Sequence, residues 1–241
     1  MVSLTSMLEP LVIFDVDGTL CDTFSVDERC FCATASKMLG VRLDRTSWEG
    51  APHITDAGIL AWLWERHVGR APSWAETHAF IAAFEVSLRI EYGRASEQFR
   101  PIVGAIELLD QLDTHGWVYA IATGGWRKTA RMELRAAGLW SDRLFASADD
   151  SQNRQEIFRL AAARAVSGLA QPPPHLTVLV GDGTWDAAVA ASCGWAFVGV
   201  AQGLRASRLR DVGVTGVIPN LMNGDEVERV LSSCKPFVRG T

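Results

Sequence analysis

The stretch PLVIFDVDGTLCDT, Pro10 to Thr23, sets two aspartates one residue apart at the end of an apolar run. Leu11 to Phe14 is short, continuous and apolar, as expected for a strand buried on both faces of a sheet. Residues two apart in a strand share a face, so Asp15 and Asp17 aim at one spot where that strand ends. Close carboxylates repel unless a cation lies between them or one of them holds a proton. A hard divalent ion such as Mg2+ suits oxygen-only ligation and also binds phosphate. Gly18 permits a tight turn after the pair, and Thr19 adds a hydroxyl and an amide.

Similar apolar runs recur at Trp117 to Ala122, Leu144 to Ala146, Leu176 to Val180, Ala196 to Val200 and near Val214 to Ile218. Helical stripes separate them. They are Ile106, Leu109 and Leu112; Ala130, Leu134 and Ala137; Ile157, Leu160, Ala161 and Arg164; Ala187, Ala188 and Ala191; and Val227, Val230, Leu231 and Cys234. Strands alternating with helices predict an α/β fold: a Rossmann-like parallel sheet with helices on both faces. In such open sheets the ligand crevice lies beyond the carboxyl ends of the strands.

Residues 22–100 break the alternation, and no strand pattern is found there. Leu60, Leu63, Trp64 and Val68 form one helical pattern; Phe80, Ala83, Phe84, Ser87 and Leu88 form another. The block reads as a small all-helical domain inserted after the first strand. The core domain is then residues 1–21 and 101–241, with Pro101 and Gly104 marking the return. Four of the nine tryptophans, Trp48, Trp62, Trp64 and Trp74, lie in the insert and are expected in its apolar core. QPPPH, Gln171 to His175, reads as a rigid surface connector.

The 241-residue chain is 48% hydrophobic and 21% charged, ordinary for a globular protein. A net charge of −5 without a long basic run argues against nucleic-acid binding. No run reaches transmembrane length, and MVSLTSMLEP, Met1 to Pro10, lacks the pattern of a secretory leader. Five cysteines at irregular spacing (Cys21, Cys30, Cys32, Cys193, Cys234) fit buried thiols in a reducing compartment, so a cytoplasmic location is expected. A tryptophan-rich insert could supply a dimer surface, and monomer and homodimer both stay open.

Three further elements fall at the ends of other strands. After WVYAIA come Thr123, Gly124 and Gly125, a hydroxyl followed by glycines that leave backbone N–H groups bare for an anion. After LTVLV comes GDGTWD, with Asp182 and Asp186 four apart. A helix starting near Thr184 would put Asp186 in its first turn, behind the metal. Between them, Arg154 stands near a helix start, where a guanidinium can grip phosphate bidentately.

FDVDGT, ATGG, a basic residue and GDGTWD, in this order and with a helical insert after the first, closely resemble the haloacid dehalogenase superfamily of phosphohydrolases with a helical cap. The branch most similar includes phosphoglycolate phosphatases and β-phosphoglucomutase. The resemblance implies that Asp15 attacks phosphorus and forms an aspartyl-phosphate. Asp17 is implied as acid and then base, its backbone carbonyl ligating the metal. Thr123 and the Gly124 amide would hold the phosphoryl group, Asp182 would bind Mg2+, and Asp186 would position metal-bound water. The family usually has Lys followed by Pro at the third motif. Here Gln152 or Asn153 aligns with that lysine, Arg154 is the preferred substitute, and Lys128 is the alternative.

The implied activity is a Mg2+-dependent phosphatase acting on a small phosphorylated metabolite, phosphoglycolate-like or a sugar phosphate. A phosphomutase is the alternative, and a binding module that kept the fold is a further one. In capped relatives a turn of the cap drops into the active site, and GAPHITDAG, Gly50 to Gly58, matches it with a helix-capping signal at Thr55 or Asp56. His53 and Thr55 are thus candidates for substrate contact, with a capping or core role as the alternative for His53. Phe24 either lines the pocket or packs the hinge.

Overall fold

Leu11–Phe14 forms the first strand, β1, with every side chain buried. The computed structural model describes residues 10–167, 174 and 176–238. Residues 1–9 and, apart from Pro174, the connector 171–175 lie outside the described residues. Four more strands follow at β2 (Tyr119–Ala122), β3 (Leu144–Ala146), β4 (Thr177–Gly181) and β5 (Ala196–Val200), and Val217–Ile218 forms β6. All pair in parallel in the order β3-β2-β1-β4-β5-β6. The order reverses at β1 and β4, which opens a crevice at their carboxyl ends.

The pleat sends alternate residues of β1 to opposite faces. Val12 and Phe14 join a cluster with Leu108 and Leu112 of α4 (Ala105–Thr114), Ala130 and Leu134 of α5 (Arg127–Ala136), and Val227 and Leu231 of α9 (Gly224–Ser233). Leu11 and Ile13 meet Ile157 and Phe158 of α6 (Arg154–Val166), Ala187 and Ala190 of α7 (Thr184–Cys193), and Leu209 of α8 (Gly203–Asp211). Helices therefore cover both faces, as expected.

Two stripes differ in phase from the expected ones. On α7, Ala190 rather than Ala191 is buried, because Asp186 points inward and its i+3 and i+4 neighbours, Val189 and Ala190, share that side. On α6, Arg164 leaves the stripe and bonds Asp150 at 2.8 Å and the Phe145 carbonyl. All five cysteines are free thiols; Cys21 and Cys30 are buried and the other three are partly buried.

The insert after β1 holds three helices: α1 (Phe24–Leu39), α2 (Asp56–Val68) and α3 (Trp74–Arg94). Its entry and exit run side by side. The Asp22 N–H donates to the Arg100 carbonyl at 2.9 Å, and the Ile102 N–H to the Leu20 carbonyl at 2.8 Å. Phe31, Leu60, Leu63, Phe80, Phe84 and Leu88 form its apolar centre, and Trp126, Met132 and Ala148 of the sheet domain join the same cluster. Of the four tryptophans only Trp64 is buried there. Trp48 and Trp62 pack at its edge, and Trp74 stands 76% exposed, stacked on His78 with ring centroids 3.9 Å apart. Trp74 follows the Ser73 cap, where α3 has not yet reached the core. Val68 is exposed for the matching reason: α2 ends at Gly69 as it leaves the cluster. Ala83 also faces water.

Truncating the fully buried Phe84 to Ala should cost about 3–5 kcal/mol, while Val86→Ala, on the exposed side of α3, should stay within about 0.5 kcal/mol. Denaturant unfolding of both variants checks this; equal effects would contradict the packing described.

Candidate active site

Asp15 leaves β1 with its amide bonded to the Val180 carbonyl of β4 at 3.0 Å. The chain then folds back tightly, and the amides of Thr19, Leu20 and Cys21 all converge on the Val16 carbonyl. Gly18 holds φ +81° in this turn, and a Cβ there would lie 2.2 Å from Asp182 Oδ2. Only glycine combines that backbone with that approach. Asp17 Oδ1 accepts a hydrogen bond from Thr23 Oγ1 at 2.5 Å.

Asp182 follows β4, and Asp186 sits in the first turn of α7, where its Oδ2 accepts the Gly183 amide at 3.1 Å. One oxygen each from Asp15, Asp182 and Asp186 lies within 4.8 Å of the others, and all three residues are buried. Asp182 Oδ2 takes a 2.7 Å bond from Arg205, while its Oδ1 is buried with no partner among the described residues. A buried orphan acceptor inside an all-oxygen donor set fits a hard divalent cation.

Arg154, the first residue of α6, spans the gap. Its Nη2 is 2.7 Å from Asp15 Oδ1, its Nε donates to Asp186 Oδ1 at 2.9 Å, and its side chain is 11% exposed. Asn153 caps α6 by accepting the Gln155 and Glu156 amides, which fixes where Arg154 starts. Lys128 instead pairs with Glu85 at 2.5 Å, outside this site. Of the two candidate cations, Arg154 is the one the fold delivers.

Thr123 closes β2, and its Oγ1 accepts the Gly125 amide at 2.9 Å, so that amide is occupied rather than bare. Gly124 has a different use: a Cβ there would lie 2.2 Å from Arg154 Nη1. Its missing side chain lets the guanidinium reach the loop.

Burial raises the carboxyl pKa of Asp15 well above its ordinary value; Arg154 opposes this, and Asp186, Asp182 and Asp17 add to it. Burial likewise raises Asp17 against the Thr23 bond, raises Asp186 against Arg154, and with Asp186 lifts Asp182 to about 7. Burial works against the Arg154 charge, but Asp186 and Asp15 more than restore it.

The cap turn seats on this loop. The Asp56 amide donates to the Gly124 carbonyl at 2.8 Å, its Oδ2 accepts the Trp126 amide at 3.0 Å, and Thr55 Oγ1 donates to the Gln152 carbonyl at 2.7 Å. Thr55 is also the cap of α2, accepting from Gly58 at 3.0 Å. A cavity of about 280 Å3 opens above the carboxylates, and Phe24, Phe31, Trp48 and Trp185 wall it. Thr55 and Phe24 line it; His53 does not, and its Cβ packs against Gly58.

Sequence reading missed several participants. Arg205 of α8 reaches Asp182 and lies 4.2 Å from the Phe24 ring, which in turn stacks on Trp185 at 6.3 Å. Asp27 and Glu133 gather with Asp17, one oxygen of each within 4.8 Å of the others. Burial pushes the carboxyls of Asp27 and Glu133 well above their usual range. The acid Asp27 within an otherwise apolar stripe of α1 was the one available signal; Arg205 carried none.

The family model of the haloacid dehalogenase-like hydrolases matches residues 10–194. The probable phosphatase IndB of Dickeya dadantii (strain 3937) is 28% identical over 207 residues, 82% of this chain and 83% of its own. A hydrolase from Pseudomonas syringae is 23% identical with a TM-score of 0.67, covering 91% of this chain and 99% of its own. CbbY from Rhodobacter sphaeroides, solved in complex with phosphate, is 20% identical with a TM-score of 0.66, covering 90% and 96%. These two structures share the fold. With the family model spanning both strand-end aspartate motifs, the Thr123 loop and the cap, the chain belongs to the haloacid dehalogenase-like hydrolases.

Proposed function

We propose that this hydrolase is a Mg2+-dependent phosphatase of a small phosphorylated metabolite, working through an aspartyl-phosphate on Asp15. The observation that carries the reading is Arg154 bridging Asp15 and Asp186 beside the orphan Asp182 Oδ1, with Thr123 and Gly124 across the cavity. The likeness to a probable phosphatase and to a phosphate-bound structure supports it.

Asp15 and Asp182, with the Asp17 carbonyl and with Asp186 behind them, would hold Mg2+, which supplies positive charge for the transferring phosphoryl oxygens. The Asp15 carboxylate attacks phosphorus as the bond to the leaving alcohol breaks, and that alcohol takes a proton from Asp17. Burial favours the protonated Asp17 needed at this point. Asp17 then removes a proton from the water that attacks phosphorus, which frees phosphate and regenerates Asp15. Arg154, Thr123 and the Gly124 amide stabilise charge on the equatorial oxygens. Residues 22–100 act as a cap that excludes water when seated and opens for product release.

The cap wall favours an ester with a single anionic group. Glu28 and Glu49 line it beside Asp27 and Asp56, whose carboxyls burial raises, and its one arginine, Arg45, is 57% exposed and 3.9 Å from Glu28. That supports a sugar phosphate over a phosphoglycolate-like substrate. It also supports hydrolysis over a phosphomutase, which must seat a second phosphate.

Purified protein with Mg2+ should release phosphate from p-nitrophenyl phosphate and from some member of a metabolite panel. Asp15→Asn should show no turnover above background, and Asp17→Asn a loss of about 10^2–10^4-fold. No turnover on any ester would favour a binding module, and sugar-phosphate isomerisation without phosphate release would favour the mutase.

Metal binding is testable separately. Without divalent ions, Asp182 keeps its proton up to about 7 in the folded state against 3.8 in the unfolded chain. The folded state then binds more protons, so stability falls as pH rises through that window. Mg2+ must displace the proton and should raise the melting temperature more at about pH 8 than at about pH 5. An equal rise at both, or a rise kept in Asp182→Asn, would count against the site.

A further inference from the structure

Lys128, the basic residue the phosphoryl site leaves aside, belongs to a second cavity of about 610 Å3 where α3 of the cap meets α5 of the sheet domain. Five basic side chains line it: Arg89 from α3, and Arg127, Lys128, Arg131 and Arg135 from α5. Two carboxylates, Glu85 and Asp149, face them, an excess of three positive charges in a chain of net charge −5. The volume suits a small molecule.

Carboxylates offset these charges only in part: Glu85 and Asp149 in the groove, and Asp150 beside it, stand against five basic side chains. Arg127, Arg131 and Arg135 follow each other at intervals of four on one helix face, where like charges repel. Glu85 alone serves two cations, Lys128 at 2.5 Å and Arg89 at 2.8 Å. Burial pushes its carboxyl up, yet these two partners hold it below its usual range. Arg127 turns to Asp150 at 2.7 Å. The Nε of Arg131 is shut off from water and has no hydrogen-bond partner among the described residues. A buried guanidinium donor without an acceptor is an unfavourable state, and a shift of the side chain toward an anion in the groove would give it a partner.

We propose that this groove binds a small molecule carrying two or more phosphate groups, at a site distinct from the phosphoryl centre, and that the bound anion ties α3 of the cap to α5. Guanidinium forks bind phosphate oxygens bidentately, and an anion with several phosphates carries enough oxygens to engage both helices at once. The loop from Thr123 to Trp126 leads directly into α5, so such a tie acts on the element that carries the phosphoryl-binding residues.

Calorimetric titration with inorganic tripolyphosphate, in EDTA and low salt, tests this on the full chain. Wild type, Thr123→Val and the surface control Arg229→Gln should bind alike, while Arg131→Gln and Lys128→Gln each weaken binding about tenfold or more. Lys128 is 59% exposed, so its variant decides the matter if Arg131→Gln fails to fold. Hydrogen exchange should show α3 and α5 protected together by the ligand. The proposal is overturned by any of four results: no binding to wild type, loss in Thr123→Val with retention in Arg131→Gln, equal weakening in Arg229→Gln, or protection confined to α5.

Discussion

Asp15, Asp182 and Asp186 bring carboxylate oxygens within 4.8 Å of one another where water scarcely reaches, and Arg154 is the cation set between two of them. Such a group is unstable by itself, since each ionised carboxylate raises the cost of ionising the next. Much of the surrounding design answers that problem. Gly18 has no side chain because the Asp182 carboxylate occupies its place, and Gly124 has none because Arg154 occupies its place. Asn153 caps α6 so that its first residue faces the crevice. Arg205 bonds one oxygen of Asp182, and the other has no partner among the described residues.

The same loop that faces the carboxylates also holds the cap. Asp56 bonds backbone on both sides of Gly125, and Trp126 packs into the apolar centre of the insert. Position and access are therefore coupled: a movement that lifts α2 from the loop breaks hydrogen bonds made by Gly124 and Trp126, beside the carboxylate cluster. The seam continues through Met132 of α5 against the cap cluster, next to the basic groove. Apolar packing and excess charge thus lie side by side along the contact between cap and sheet.

Much of this was legible in the order of residues. Strands buried on both faces are continuous apolar runs, so β1, β3 and β5 were read to the residue. Asp15, Asp17 and Asp182 were legible because they follow the ends of such runs, and Asp186 because it stands in the first turn of the helix after one. The cap tryptophans were not. Trp64, Trp48 and Trp74 have the same chemistry and different surroundings, and helical spacing alone cannot say where an element leaves its cluster. The cavity walls escaped for a related reason, since Trp185, Phe24 and Arg205 come from three elements and meet only across the crevice.

The sequence by itself determined the alternation of strands and helices, the helical insert after β1 and the carboxylates at strand ends, because periodicity and local turn chemistry act over neighbouring residues. Only the tertiary structure decided that Arg154 rather than Lys128 faces Asp15, that the Gly125 amide is already occupied, and that His53 stays off the cavity. Those outcomes depend on distances between residues far apart in the chain, fixed by how helices pack on a twisted sheet, and no local pattern encodes them.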